Sequence, residues 1–418
     1  MIHKLALRNL LRNKRRSILT SVIIIFAFSM MILFMGLSDG GHKAMVDIGV
    51  KMGLGHVVVQ HPQYRDDPAL AHLIRTPEEV KQTILSQQPQ LQVVARLRAD
   101  ALIQAGRHGI ALSISGVEPE LERQVSAIAD DKAIEQGETL AAFTQSHPHG
   151  NLAGIVLGAT LATNLEVRIG DTVTLTVKPA SGGDLARSAF QVAGIFKTGL
   201  HELDTFWAEV PITALQRLLE VDGQVSELAL YSPSGSDGVG LLAASIRAQL
   251  PEYGVQPWQT AAPELYSAVT LDAAGMYLLM LIVYVVVAVG ILNTVLMSTF
   301  RRQKEFSMMI AVGARASTVT KVVLLEAVYL SAFSLLLGLG FGLWGHYYFA
   351  TEGLNFKEVF GTAMEAGGVL LPEKFYSTLY TDKLLLSVLF IFVITIVVTL
   401  VPAIRAGHRS PVAASHES

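Results

Sequence analysis

Four apolar stretches constrain this chain more than any other feature. They occupy 18–38, 273–300, 322–349 and 384–404, and Glu326 in the third is the one acid among them. Each is long enough, at about 1.5 Å per residue, to cross a hydrocarbon layer about 30 Å thick as a helix. Core helices of soluble proteins rarely run so far without charge. Charged residues make up 16% of the chain, against roughly 25% in a soluble domain. A membrane protein with four transmembrane helices is expected. Basic residues precede the first stretch, as in a signal peptide. Its apolar run exceeds the roughly 7–15 residues of such a segment and no A-x-A site follows, so it reads as a retained anchor.

Charge sets the expected orientation. Residues 1–17 hold Lys4, Arg8, Arg12, Lys14, Arg15 and Arg16 with no acid. The loop 301–321 holds Arg301, Arg302, Lys304, Arg315 and Lys321 against Glu305, and the tail 405–418 opens with Arg405 and Arg409. The loop 350–383 instead carries five acids against three lysines. By the positive-inside rule both termini and 301–321 are cytoplasmic, which leaves 39–272 outside. In a bacterium with two membranes this is a multi-pass inner-membrane protein with a periplasmic domain.

The segment 39–272 is long enough for its own core. Strand-like runs (56–60, 91–97, 110–117, 171–177, 190–196) alternate with helical patterns at 77–87, 158–165, 212–219 and 239–250, which predicts an α+β domain. The two runs around Pro179-Ala180-Ser181-Gly182-Gly183-Asp184 read as a hairpin. Segment 120–152 is polar and weakly patterned, and reads as loop-rich. His147-Pro148-His149, with His56, His61 and His72, lacks ligand spacing on one element, so no metal site is expected. The chain has no cysteine, which excludes disulfides, thiolate metal sites and a cysteine nucleophile. The net charge of −3 argues against a nucleic-acid partner. No G-x-S-x-G, H-E-x-x-H or G-x-x-x-x-G-K-[ST] motif occurs. No catalytic residue is expected, nor a P-loop for ATP.

Three features at the membrane edges carry a mechanism. In 1–17, helical periodicity gathers Lys4, Arg8, Arg12, Arg15 and Arg16 on one side and Ile2, Ala6, Leu7 and Leu10 on the other. That is a helix able to lie on membrane lipids, or simply a flank that sets topology. In 301–321, basic residues surround Glu305 and an apolar stripe of Phe306, Met309 and Ile310, ended by Gly313-Ala314. This suits a short helix gripped by a partner's groove, or an ordinary loop. In the third stretch Gly338 and Gly342 form G-x-x-x-G, for packing within the subunit or across a dimer seam. Glu326 lies inside the cytoplasmic end of that stretch and is expected to be paired or snorkelling.

Several segments then share one resemblance. Arg8-Asn9-Leu10-Leu11-Arg12-Asn13-Lys14-Arg15-Arg16 opens the chain. Arg302-Gln303-Lys304-Glu305-Phe306-Ser307-Met308-Met309-Ile310-Ala311-Val312-Gly313-Ala314 is similar to a coupling-helix motif of the form R-x-x-E-I-G-x-x-[KR]-A-[LIM]-G-A. Glu326 follows it, and Pro402-Ala403-x-Arg405-Ala406 with Pro411 closes the chain. The whole resembles the MacB/FtsX-type ABC transporter permeases, also called type VII. In the outer domain Gly55-His56-Val57-Val58-Val59-Gln60, Leu157-Gly158-x-x-Leu161-Ala162 with Gly170-Asp171, and Val192-Ala193-Gly194-Ile195-Phe196 are similar to the lipoprotein-releasing LolC/LolE branch. Ser307 stands where the family usually has glycine, and Ile310-Ala311 lacks its usual basic residue.

The resemblance implies a permease subunit that is not itself an enzyme. It would work with two copies of a separate ABC ATPase, which binds ATP and magnesium, and with a second permease subunit, identical or paralogous. A periplasmic carrier or adaptor would complete the system. Arg301, Arg302, Lys304, Glu305, Phe306, Met309, Ile310, Gly313 and Ala314 would couple the permease to the ATPase. The implied work is extraction of lipoproteins or other lipid-anchored substrates, with entry near Asp39 and Ala273. MacB-like efflux of peptides or antibiotics, or an FtsX-like signalling scaffold, are the alternatives.

Overall fold

In the computed structural model each apolar stretch lies within one helix: Lys14–Gly49, Pro263–Arg301, Ala316–Thr351 and Thr381–Gly407. The structure describes residues 2–12, 14–148, 150, 152–355, 358, 365–366, 369–370 and 374–408. Its contacts separate two units. One comprises Met1–His42, Thr270–Thr362 and Glu373–Ser418, and the other Lys43–Val269 with Ala363–Pro372. Arg409 and Pro411 lie outside the described residues.

All four helices are long and apolar enough to cross a membrane. The first two have 36 and 39 residues, or about 54 and 58 Å at 1.5 Å per residue, so both run well past a hydrocarbon layer of about 30 Å. The first helix does not stop at Ser38. It continues through Asp39, Gly40 and Gly41, because the acid that reads as a span end is buried and accepts a hydrogen bond from Lys383.

Within the membrane unit Ile24, Phe28 and Ile32 of the first helix pack with Val287 and Ile291 of the second, Val323 and Leu335 of the third and Ile391 of the fourth. Hydroxyls tie the helices where no water competes. Thr20 and Thr294 share a hydrogen bond of 2.6 Å, Ser331 and Thr395 one of 3.0 Å, and Ser29 donates to the Gly338 carbonyl at 2.9 Å. The outward faces stay apolar and exposed, as at Phe26, Leu336 and Val397, the pattern of a helix among acyl chains.

Among the described residues the outer unit holds a two-stranded pair of Glu365–Ala366 with Val369–Leu370 and a mixed sheet of ten strands with helices packed on it, an α+β fold. Its strands are β1 (Val57–Gln60), β2 (Gln92–Ala105), β3 (His108–Val117), β4 (Ile134–Gly137), β5 (Ala153–Gly158), β6 (Thr172–Val177), β7 (Ala186–Phe196), β8 (Trp207–Pro211), β9 (Glu227–Tyr231) and β10 (Gly254–Pro257). The order is β10-β1-β9-β2-β3-β8-β5-β7-β4, with β6 bridging β2 and β7. The strands β6 and β7 form the hairpin expected around 179–184, with Val177 opposite Ala186. The pairs β3–β8 and β5–β7 are parallel. Helices Pro77–Gln87, Ile212–Leu219 and Val239–Gln249 bury Ile84, Leu215 and Ile246 against the sheet.

Segment 120–152 is not loop-rich. It contains most of helix Pro119–Val125, strand β4 and helix Leu140–Ser146. Pro119 starts the first of these, and Thr139 Oγ1 caps the other by accepting the Ala142 N–H, both ordinary helix-start devices. Ile128, Leu140 and Phe143 form a small separate core with Val117, Val156 and Phe196. Short elements held by a few scattered apolar residues leave little periodicity to read.

Candidate coupling site

The second apolar helix ends at Arg301, and Arg302 turns the chain into the short helix Gln303–Ala311. Here the backbone leaves helical geometry, with φ −104° and ψ 15°, so the Arg302 side chain points inward. Its Nη1 donates to both Glu326 carboxylate oxygens, at 2.7 and 2.9 Å, and its Nε donates to Glu305 at 3.0 Å. The guanidinium lies 4.8 Å from the centre of the Phe306 ring, in cation–π range. Arg302 is 5% and Glu326 8% exposed. Charges this buried are stable only when paired and hydrogen-bonded.

The N-terminal helix Ile2–Arg12 joins the same cluster. Asn9 Nδ2 donates to Glu326 at 2.7 Å, and Arg12 Nη2 donates to Glu305. His3 Nδ1 and the Tyr329 hydroxyl share a hydrogen bond of 2.6 Å. Burial acts to raise the Glu305 pKa, but the guanidinium groups of Arg302 and Arg12 together outweigh it and hold the carboxyl below its ordinary value. One polar network thus ties together the N-terminal helix, the short helix and the third span.

Helix Gln303–Ala311 stops at Gly313, whose φ of +102° only glycine adopts without strain. The Gly313 N–H donates to the Ile310 carbonyl and the Ala314 N–H to that of Met309, at 3.0 and 2.9 Å. That is the Schellman pattern. The apolar stripe expected to meet a partner faces inward. Phe306 is buried, and Met309 and Ile310 pack against the membrane core. The outward apolar residues are Met308, 62% exposed, and Val312, 90% exposed. Lys304 is also exposed, and the spacing 304, 308, 312 puts the three on one face. Arg301 is exposed as well.

On the N-terminal helix Lys4, Arg8 and Arg12 are exposed while Ala6 is buried; Arg15, at the start of the first span, is exposed. The Arg16 side chain lies outside the described residues. Gly338 and Gly342 pack within the subunit. A Cβ on Gly338 would meet Phe28 at 3.1 Å, and one on Gly342 would meet Ile32 at 2.6 Å.

At the other end of the membrane unit a cleft of about 270 Å³ opens among Met35, Met276, Met280, Tyr284 and Phe390, with Lys383 at its edge. A separate buried cluster lies in the outer unit. Arg96 makes a two-pronged contact with Glu122 at 3.1 and 2.6 Å, and donates to the Tyr231 hydroxyl and the Gly53 carbonyl, both at 2.7 Å. Arg98 also donates to that carbonyl, at 3.0 Å. The turn Val50–Leu54 is thereby fastened to β2. Burial pushes the nearby Glu209 carboxyl up to about 8, with Glu122 adding to the rise and Arg96 opposing it.

Among the described residues no three His, Asp or Glu side chains form a metal-binding group. His61 stacks on His72 and His147 on Phe143. His56 Nδ1 accepts the Ser232 N–H. His149 lies outside the described residues.

Residues 17–248 match the MacB-like periplasmic core domain family, and 277–411 match the FtsX-like permease C-terminal family. The first match covers more than half of the chain. The chain belongs to the MacB/FtsX-type ABC transporter permeases. The permease is 23% identical over 414 residues to the lipoprotein-releasing system transmembrane protein LolE of Haemophilus influenzae, covering 96% of this chain and 95% of that one. To LolC of Neisseria meningitidis it is 25% identical over 239 residues, 56% of this chain and 55% of the other. To the macrolide export ATP-binding/permease protein MacB of Shewanella sp. it is 22% identical over 384 residues, 86% and 54% of the two chains. It is a multi-pass inner-membrane permease subunit near the Lol branch.

Proposed function

We propose that this permease carries the motion of a separate ABC ATPase through the membrane to mobilise lipid-anchored proteins at the outer face. The observation that carries the reading is the buried Arg302–Glu326 pair with Asn9 and Glu305. It makes helix Gln303–Ala311 mechanically continuous with the third span and the N-terminal helix. Met308, Val312 and Lys304 offer an amphipathic outward face that a groove on an ATPase could grip. Both termini and this helix are cytoplasmic in this reading, on the charge bias of the loops.

The working unit is two permease subunits over two ATPases, with ATP and magnesium held by the ATPases. Closure of the ATPase pair moves Gln303–Ala311, and the second and third spans follow. The cleft beside Met35, Met276 and Phe390 lies where an acyl chain would enter. Withdrawing acyl chains costs about 0.8 kcal/mol per CH₂, so two or three chains require an external energy source. A periplasmic carrier would receive them. Purified permease and ATPase in proteoliposomes should release a labelled lipoprotein when ATP is added. Failure with every lipoprotein tried, alongside ATP-driven movement of a macrolide, would replace this reading with efflux, which the similarity to MacB favours.

A further inference from the structure

The N-terminal helix does more than touch the third span. Its contacts at His3–Tyr329 and Asn9–Glu326 hold it as one wall of a second cleft, of about 560 Å³, a volume typical of small-ligand sites. Leu7 and Leu10 form that wall, Ile18 and Val22 of the first span the second, and Phe333 and Leu337 of the third span the last. The lining is almost wholly carbon. The polar side chains are Ser17, Ser21, Tyr329 and Lys14, and Lys14, the charged one, lies at one end.

Length and charge identify the occupant. From Lys14 to Ile25, both lining residues, the first helix rises about 16 Å, half of a hydrocarbon layer of about 30 Å. The cleft therefore spans one leaflet, from the charged surface to the midplane. Residues 1–17 contain six cations and no acid. Arg12 is taken by Glu305. Among the described residues no acid pairs with Lys4, Arg8, Lys14 or Arg15. A second copy of this chain would bring the same cations against them. A lipid phosphate would neutralise them, and basic pockets between spans on the cytoplasmic side are suited to anionic headgroups.

We propose that this cleft binds one anionic phospholipid of the cytoplasmic leaflet, its phosphate at Lys14 and an acyl chain between Leu10, Val22 and Phe333. The leaflet assignment rests on the orientation given above. The lipid fills the space beneath the N-terminal helix and so supports the Asn9–Glu326 contact.

The test is lipid selectivity of the full-length permease in mixed bilayers, read by electron spin resonance with spin-labelled phosphatidylglycerol and phosphatidylcholine. At this site phosphatidylglycerol should associate about five-fold more strongly than phosphatidylcholine, since one basic group near the surface is worth about 1 kcal/mol, and its immobilised fraction should be the larger of the two. Lys14→Glu should abolish the preference. Val22→Trp should lower the immobilised fraction, whereas Leu389→Trp on the lipid-facing fourth span should not. Equal binding of the two lipids, or an unchanged preference in Lys14→Glu, would overturn the proposal. So would efficient disulfide cross-linking of Val22→Cys between two copies, which is simple to read because the chain has no other cysteine. The labelled lipids populate both leaflets, so selectivity is read whichever way the chain faces. Labelling of Lys4→Cys from one side tests orientation separately.

Discussion

At Arg302 and Glu326 the membrane unit buries two charges against each other, and each has a further polar partner. Glu326 accepts from Arg302 and Asn9, and Arg302 also reaches Glu305. Removing Glu326 takes the two-oxygen partner from a buried Arg302 and leaves it only Glu305, at a cost of up to about 3–5 kcal/mol. Glu326→Gln should therefore lower the thermal unfolding midpoint in detergent, whereas Arg302→Met combined with Glu326→Leu should recover most of the loss. Wild-type stability of the single variant would show that the pair is not held in place. Glu209 tests burial in the outer unit. Its pKa rises from 4.5 to about 8 on folding, so the stability it contributes is complete below about pH 4.5 and is lost as pH rises through about 8, with a slope of at most about 1.4 kcal/mol per pH unit. Glu209→Gln carries no charge and should flatten that slope in denaturation series between pH 5 and 8. Identical slopes for the two proteins would place the titrating group elsewhere.

At the scale of elements, the short helix Gln303–Ala311 shows what a sequence reveals and what it withholds. Its existence was legible from the charges flanking it and from Gly313-Ala314, which end it. Its orientation was not. Periodicity states that Phe306, Met309 and Ile310 share a side, but not that this side meets the core, and Met308 and Val312 are the residues left outside. The role of Asn9 is not legible, because a neutral amide in a basic helix carries no signal and its partner is 317 positions away. Asp39 reads as a span end for the same reason, since Lys383 compensates it from 344 positions away. Arg96 interrupts a strand pattern, and only the fold brings Glu122 and Tyr231 to it. The helix itself can be tested by two substitutions. Glu305→Lys sets a third cation beside Arg12 and Arg302, and Gly313→Trp forces a bulky residue into a positive φ. Both variants should assemble with the ATPase, as judged by co-purification, yet lose nearly all ATP-driven transport. Full transport by both would remove the coupling role from this helix.

At the scale of the whole molecule, four membrane-crossing helices and five strands of an α+β outer domain were readable, because long apolar runs and alternating strands are local patterns, whereas β4, β5, β8, β9 and β10 are short and were not legible. The contacts that tie distant segments together are not local. They are buried polar contacts: Asn9 and Arg302 on Glu326, Lys383 on Asp39, and Arg96 and Arg98 on the Gly53 carbonyl. In the proposed mechanism ATPase motion enters through the outward face of Gln303–Ala311. This is tested most directly by measuring ATP-driven release of a labelled lipoprotein from proteoliposomes containing the ATPase and either wild-type permease or the Met308→Asp, Val312→Asp double variant. Release from the wild type, with at least a ten-fold slower rate from the variant while ATP hydrolysis continues, is the predicted result. Release at the wild-type rate by the variant would show that the motion does not enter through this face.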